Sequence, residues 1–189
     1  KIKPGDVVLD IGANDGTLLK YFKKDRIITI GCEPANNLKD ELKKNCHYMI
    51  NDFWHTRHLK KIPNKHQKLK VVSAIGMFYD LEDPSKFIKH AADALDDDGI
   101  FVAQLMCSHS MFKTNDLGNI CHEHLEYYSY NSLKSLNNPS ISKASLSQGF
   151  FIFTITLYFL IGRISLIVES IILNCLIANL TVSPLITLL

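Results

Sequence analysis

The run VVLDIGANDG, at Val7–Gly16, decides the fold. Four apolar residues and one acid predict a buried strand, and small, turn-forming residues follow it directly. Asp10, Gly12, Asn14 and Gly16 occupy alternate positions where this strand ends. A glycine there permits a tight turn and close approach of a ligand to the backbone, and the amides that start the next helix favour a polar or anionic group. A strand-to-helix turn without a ligand would also explain the motif.

Two residues of this turn carry predictions of their own. Asn14 stands where a second glycine is common, and asparagine tolerates left-handed backbone geometry well. Gly16 is expected to let the following helix lie close to the strand. The spacing from Gly12 to Gly16 differs from the dinucleotide fingerprint G-x-G-x-x-G.

Up to about Leu136, short apolar runs alternate with longer amphipathic ones. Strands rich in Val and Ile, separated by helical stretches, predict an α/β fold: a Rossmann-like parallel sheet with helices on both faces. The predicted strands are Asp6–Ile11, Ile27–Glu33, His47–Ile50, Leu69–Ile75 and Gly99–Leu105. The predicted helices lie near Gly16–Lys24, Ala35–Lys44 and Pro84–Leu95. The run DDDG, Asp96–Gly99, is predicted to be a turn that starts the fifth strand.

The composition of the chain changes after Leu136. The predicted domains are a core over 1–136, a polar linker over 137–148 and a hydrophobic tail over 149–189, in which only one Arg and one Glu occur. Three interpretations of the tail compete: a membrane span near Ala144–Gly162, a pair of closing strands, or a frameshift or read-through product. The third is preferred, because composition and breaker pattern change together at one point.

Charge and cysteine content restrict the class of protein. With 47% hydrophobic residues, 21% charged residues and a net charge of +2, the chain is globular and offers no electrostatic argument for nucleic acid. Its five cysteines include no C-x-x-C pair, and no secretory signal opens the chain. These features predict reduced thiols in the cytoplasm, with membrane association only through 144–189. The chain starts without Met, and we expect it to be a fragment.

Two further acids follow predicted strands. Glu33 ends the second strand, at the place where a carboxylate would hold two ribose hydroxyls. Asp52 follows the third strand, where it could accept a hydrogen bond from an adenine amino group; a helix cap or surface turn is the alternative. Together with Asp10, these acids end three successive strands at the edge where open α/β sheets bind ligands.

This constellation resembles the class I methyltransferases, which use S-adenosylmethionine, over about Lys3 to Leu105. The resemblance implies that Glu33 holds the ribose, Asp52 holds the adenine and Ala74 lines the remaining wall. The cofactor-binding residues that it implies are Asp10, Gly12, Asn14, Gly16, Glu33, Asp52 and Ala74.

A second motif, NICHEHLEYYS, occupies Asn119–Ser129. In an extended segment His122 and His124 would share a face, with Glu123 on the other. Histidine is the natural general base near neutral pH, and a nearby carboxylate can fix its tautomer. A metal site is the rival interpretation, but the spacing matches no zinc knuckle, and no metal is predicted. Its ligands would come from Cys107, His109, Cys121, His122 and His124. For His122, simple exposure is the preferred interpretation.

The motifs together resemble the C-methyltransferase family that acts on nucleotide-linked keto-deoxysugars, over about Lys3 to Leu136. This resemblance implies a small-molecule sugar-nucleotide substrate and places the general base at His124, with Glu123 beside it. His124 would remove a proton next to the ketone, and the enolate would take the methyl group. The sequence departs from the family at Cys121, where a Tyr is usual, and at Tyr79 or Asp80, where a His is frequent.

Two other functions remain open from the sequence. The chain could be a truncated, catalytically silent remnant of the fold, tethered to a membrane by its tail. It could also be an NAD-dependent oxidoreductase, because Glu33 on a ribose suits both cofactors.

Overall fold

A parallel sheet with β1 near its centre organises the chain. The computed structural model describes residues 2–136 and 150–155, and the features below belong to the unit Pro4–Leu157. The strands are β1 (Val7–Ile11), β2 (Ile28–Cys32), β3 (Tyr48–Ile50), β4 (Leu69–Ile75), β5 (Leu95–Leu105) and β6 (Phe150–Ile155). Their order is β3-β2-β1-β4-β5-β6, and every neighbouring pair is parallel. The predicted α/β fold is confirmed.

The helices connect these strands. They are α1 (Thr17–Lys24), α2 (Lys39–Asn45), α3 (Pro84–Ala94), α4 (Ser108–Thr114) and α5 (Tyr130–Leu136). From β1 the chain runs outward to β2 and β3, and it then returns to β4 on the other side of β1. Right-handed crossovers therefore place α1 and α2 on one face and α3 on the opposite face. The direction reverses between β1 and β4, which is where open α/β sheets form a ligand crevice.

An aromatic cluster joins the sheet to the segments that follow it. The rings of Phe78, Phe87, Phe101 and Tyr128 lie with centroids 5.4 to 6.3 Å apart, and all four residues are buried. Burying a large apolar side chain stabilises a fold by about 1.5–3 kcal/mol. The cluster thus anchors the loop after β4 and the segment around Tyr128 to the same core.

Two boundaries differ from the sequence-based expectation. The acidic run Asp96–Gly99 does not precede the fifth strand but lies inside β5 as a bulge: Leu69 pairs with Leu95 and Val71 with Ile100. The cause is Leu95, whose buried side chain continues the ladder while the aspartates turn outward to water. The helix predicted over Ala35–Lys44 begins as a separate 3₁₀ turn, and the α-helix itself is α2.

Six residues of the hydrophobic tail are described. Phe150–Ile155 form β6, which pairs in parallel with β5. Apart from Thr154 its sequence is apolar, which is typical of strands in parallel sheets, because these need no period-two alternation. The linker and the rest of the tail lie outside the described residues, so the domain boundaries and the origin of the tail stay predictions. Within the part of the chain that is described, no helix has the length and apolar character to cross a membrane.

Candidate active site

The turn after β1 has the conformation that its residues predict. Gly12 has φ +71° and Asn14 has φ +52°, so the left-handed geometry expected of Asn14 is confirmed. The amides of Gly12 and Ala13 both donate to the carbonyl of Cys32, at 2.9 and 3.2 Å. A Cβ atom on Gly12 would lie 2.9 Å from Met77 Cγ. The turn therefore brings bare backbone close to the loop after β4.

Gly16 accommodates a different element from the one expected. A Cβ atom there would lie 2.9 Å from Leu42 Cδ1 and 2.8 Å from Asn45 Cβ, both in α2. The close approach is thus between the start of α1 and the neighbouring helix, not between helix and strand. The first amide of α1, that of Thr17, donates to the Asp15 carboxylate at 2.9 Å. This amide of the predicted anion-binding helix start is therefore bound within the chain.

Glu33 joins the turn after β1 to the segment that follows β2. Its Oε2 accepts a hydrogen bond from the Asn14 amide at 3.0 Å, and its Oε1 accepts one from the Ala35 amide at 2.9 Å. The side chain is half-buried at the carboxyl end of β2. Each carboxylate oxygen can accept a second bond, so the group has capacity for ligand hydroxyls. Sequence positions 19 residues apart are joined here by one hydrogen bond.

Asp10 is buried at the centre of the sheet and is 4% exposed. Ser73 Oγ, on β4, donates to its Oδ1 at 2.7 Å. Burial raises the pKa of Asp10 to about 7, the negative charge of Glu33 adds to the rise, and the Ser73 hydrogen bond opposes it. The carboxyl therefore titrates near neutral pH.

Asp52 lies after β3, beside a pocket that Ile50, Asn51 and Ile62 also line. Its Oδ1 accepts from the Phe53 amide at 2.8 Å, and its Oδ2 lies 3.4 Å from His58 Nε2. The side chain is 53% exposed, so it is accessible to a ligand. His58 follows Asp52 by six residues, and no motif or recognisable spacing marks it as a neighbour of that acid.

Ala74 does not stand where the resemblance placed it. It is fully buried within the ladder, opposite Ile11 of β1 and Ala103 of β5. Its methyl group belongs to the hydrophobic core and has no exposed surface, so it offers nothing to a ligand. The expectation that Ala74 lines the site is therefore wrong, and β4 reaches this edge instead through Gly76 and Met77, which follow its last residue.

His124 lies against the loop that follows β4. Its ring centroid is 4.3 Å from that of Tyr79, and the amides of Leu125 and Glu126 donate to the Tyr79 carbonyl at 2.9 and 3.1 Å. The Nδ1 atom of His124 lies 2.7 Å from the carbonyl oxygen of Asn119. A carbonyl only accepts, so Nδ1 carries the proton in the neutral ring and Nε2 keeps its lone pair. The ring is thus held in the tautomer that a general base at Nε2 requires.

Glu123 does not orient His124. Its carboxylate is 73% exposed and lies 3.8 Å from His122 Nε2. The Asn119 carbonyl takes the orienting role that was expected of Glu123, and a backbone oxygen leaves no mark in the sequence. His122 is 91% exposed, which confirms the preferred interpretation of that residue.

Tyr79 and Asp80, where the sequence departs from the family pattern, both lie near His124. Burial raises the pKa of Asp80, and the charge of His124 acts in the opposite direction. Both Tyr79 and Asp80 therefore neighbour His124.

Cys121 is exposed. Across residues 2–136 and 150–155, no group of three or more His, Cys, Asp or Glu side chains is arranged to hold a metal ion.

Comparison with protein families matches a profile described as "Methyltransferase domain" to residues 1–138. The C-methyltransferase NovU of Streptomyces niveus is 26% identical over 132 residues, which are 70% of this chain and 31% of that protein. The chain thus spans less than a third of the length of this curated relative.

Solved structures share the fold at low identity. The plantazolicin methyltransferase BpumL, solved with a pentazolic desmethylPZN analog and SAH, aligns with a TM-score of 0.56 and 15% identity over 75% of this chain and 57% of that chain. A SAM-dependent methyltransferase from Archaeoglobus fulgidus aligns with a TM-score of 0.54 and 17% identity, over 72% and 60%. These comparisons give no support to the oxidoreductase alternative.

Proposed function

The chain belongs to the methyltransferase domain family, and we propose that it is an S-adenosylmethionine-dependent C-methyltransferase acting on a nucleotide-linked keto-deoxysugar. The resemblance to the sugar C-methyltransferases supports this substrate class, and the similarity to NovU, itself named a C-methyltransferase, supports transfer to carbon. The observation that carries the proposal is the hydrogen bond of His124 Nδ1 to Asn119, which leaves Nε2 able to take a proton.

The carboxyl edge of β1, β2 and β3 fits the cofactor. Gly12 leaves its backbone open to a ligand, and a Cβ atom there would collide with Met77. Glu33 and Asp52 present carboxylates that accept hydrogen bonds from hydroxyl and amino groups. When bound, S-adenosylmethionine supplies an electrophilic methyl group. Under the proposal, Asp10, Gly12, Asn14 and Gly16 surround its amino-acid end, Glu33 holds the ribose and Asp52 holds the adenine.

His124 acts on the acceptor. Its Nε2 takes the proton from the carbon beside the ketone. The electron pair of that C–H bond forms the C=C bond of an enolate, and the π pair of the carbonyl moves to the ketone oxygen. The Asn119 carbonyl holds the resulting imidazolium through Nδ1–H, in the same way as it holds the neutral ring. Tyr79 contacts His124 with its ring tilted by 54°, and this contact holds the imidazole beside the loop that follows β4.

Proton exchange tests the base without requiring methyl transfer. The probe is thymidine-diphosphate 4-keto-6-deoxyglucose in D₂O with S-adenosylhomocysteine, and proton NMR follows loss of the signals next to the ketone. We expect His124→Gln to lose about 100-fold or more of the enzyme-dependent exchange, since general-base catalysis contributes about 10²–10⁴-fold. Its affinity for S-adenosylhomocysteine should not change.

His122→Gln is the matched control, because it changes the exposed histidine two residues away and should exchange at the wild-type rate. Unchanged exchange in His124→Gln would remove the base assignment. A wild-type chain that binds S-adenosylhomocysteine yet exchanges no proton would favour the catalytically silent alternative.

A further inference from the structure

Tyr79 is held from two sides at a defined place in the fold. It lies on the 3₁₀ turn Phe78–Asp80, which follows β4. Its neighbour Phe78 is fully buried in the aromatic cluster. The carbonyl of Tyr79 accepts two hydrogen bonds from amides of the segment that carries His124. The core therefore fixes the residue on one side, and the segment with the base fixes it on the other.

The hydroxyl of Tyr79 lies at the end of β4. A Cβ atom on Gly76, the residue that follows this strand, would be 3.6 Å from the hydroxyl oxygen. Gly76 is exposed, and its amide donates to the carbonyl of Gln104 on β5 at 3.1 Å, so it belongs to the carboxyl edge of the sheet. Met77, the next residue, packs against the turn at Gly12, which under the proposed function surrounds the amino-acid end of the cofactor.

The ring of the same residue contacts the base. The centroids of the Tyr79 and His124 rings are 4.3 Å apart, and the ring planes are tilted by 54°. Since Nδ1 of His124 is bonded to the carbonyl of Asn119, Nε2 is the nitrogen that can take a proton. A single tyrosine side chain thus reaches from the base to the end of β4.

Removal of a proton beside a ketone needs a hydrogen-bond donor as well as a base. Negative charge develops on the ketone oxygen, and a donor placed there stabilises it. Asn119 offers only its carbonyl to His124, and the hydroxyl of Tyr127 already donates to that carbonyl at 3.3 Å. Asp80 is exposed, and its charged carboxylate would repel an enolate. The phenol of Tyr79, by contrast, can donate from a side chain that contacts the base.

We propose that Tyr79 is a catalytic residue, whose hydroxyl donates a hydrogen bond to the ketone oxygen of the sugar while His124 removes the proton from the adjacent carbon. The C–H electron pair becomes the C=C bond, and the π pair of the carbonyl moves to the oxygen that Tyr79 faces. The phenol keeps its own proton and stabilises this charge by hydrogen bonding. The inference rests on the proposed function, in which His124 is the base.

Two substitutions separate the hydroxyl from the ring. Tyr79→Phe keeps an aromatic ring against His124 and removes only the hydroxyl, whereas Tyr79→Leu removes both. The assay is proton exchange of thymidine-diphosphate 4-keto-6-deoxyglucose in D₂O with S-adenosylhomocysteine. We expect Tyr79→Phe to lose about 100-fold or more of the maximal exchange rate, since removal of one oxyanion donor costs about 10²–10³-fold. Tyr79→Leu should lose at least as much.

Three further measurements accompany the exchange rates. The KM for the keto-sugar should change much less than the maximal rate in Tyr79→Phe, because the hydrogen bond strengthens as charge develops. Calorimetry should give the wild-type affinity for S-adenosylhomocysteine, and thermal melts establish that both variants fold. Tyr21→Phe is the matched control: it removes the hydroxyl of a residue that is 47% exposed on α1 and should exchange at the wild-type rate.

Other outcomes overturn the inference. If Tyr79→Phe exchanges at the wild-type rate and only Tyr79→Leu is slow, Tyr79 merely packs against His124. If the loss in Tyr79→Phe lies in KM alone, the hydroxyl binds the sugar without stabilising the enolate. In both cases a loss of exchange in His124→Gln would leave the proposed function standing. If wild type binds S-adenosylhomocysteine but exchanges no proton, the proposed function fails, and the role of Tyr79 fails with it.

Discussion

The strand ends that form the cofactor edge and the Asn119–Ser129 segment that carries the base are held in different ways. Asp10 lies within the sheet, and Glu33 follows β2 with its amide bonded to the carbonyl of Ile50, so strand register fixes both. His124 is held by single contacts between loops, chiefly those with Asn119 and Tyr79. The strands and their ends can be recognised from the pattern of apolar residues in the sequence, whereas contacts between loop residues cannot. The first region could therefore be predicted in outline, and the second only by resemblance.

The largest effect should come from Asp10, the most deeply buried acid of the strand-end region. Because burial raises its pKa from 3.8 to about 7, the folded state keeps a proton that the unfolded chain releases. The free energy of unfolding should therefore fall as pH rises from about 4 to 7, by up to ~1.4 kcal/mol per pH unit. Asp10→Asn removes this fall. Urea denaturation at pH 5 and at pH 8 measures the effect. The free energy of unfolding of the variant, relative to that of wild type, should be about 2–3 kcal/mol higher at pH 8 than at pH 5.

Asp93→Asn is the control for that experiment. Asp93 is 42% exposed and pairs with Lys89 on the surface of α3, so its stability curve should run parallel to that of wild type. If Asp10→Asn also runs parallel, Asp10 does not titrate as a buried acid, and the comparison between the two regions loses its main energetic difference.

Gly12→Ala should have the next largest effect. A side chain there must adopt φ +71° and also meet Met77 Cγ at 2.9 Å. We expect a loss of about 1–3 kcal/mol in the free energy of unfolding and weaker binding of S-adenosylhomocysteine. Gly5→Ala isolates the backbone part, because Gly5 has φ +93° and open space around its Cβ position. Equal losses of stability in the two variants, with S-adenosylhomocysteine affinity unchanged in both, would show that the turn does not form the tight cradle described here.

The smallest effect should come from Glu123, in the region held by loop contacts. Its carboxylate is exposed and faces His122, so Glu123→Gln should reduce the proton exchange of the keto-sugar probe by less than about threefold, within the range of a weak surface ion pair. A loss of tenfold or more would mean that Glu123 approaches His124 during the reaction, and it would restore the role that the resemblance implied.

The sequence predicted the strands and the acids at their ends because a buried parallel strand leaves an apolar run and its end leaves a turn. It could not reveal the partners of those acids. Ser73, which donates to Asp10, lies 63 residues away, and nothing near His58 marks it as a neighbour of Asp52. The resemblance implies that Ala74, near the end of a strand, lines the site, whereas its methyl group is buried in the hydrophobic core. The sequence does not reveal the acidic bulge in β5, because a run of turn-forming residues has the same composition in a loop between strands as in a bulge within one strand.

The central claim is that the carboxyl edge of β1, β2 and β3 binds S-adenosylmethionine, and calorimetric titration of the wild-type chain with S-adenosylhomocysteine tests it most directly. We expect saturable binding at one site and a melting temperature that rises with ligand concentration, since a ligand that binds only the folded state stabilises it by mass action. Protein that is folded by circular dichroism but shows neither heat of binding nor a thermal shift would contradict the claim.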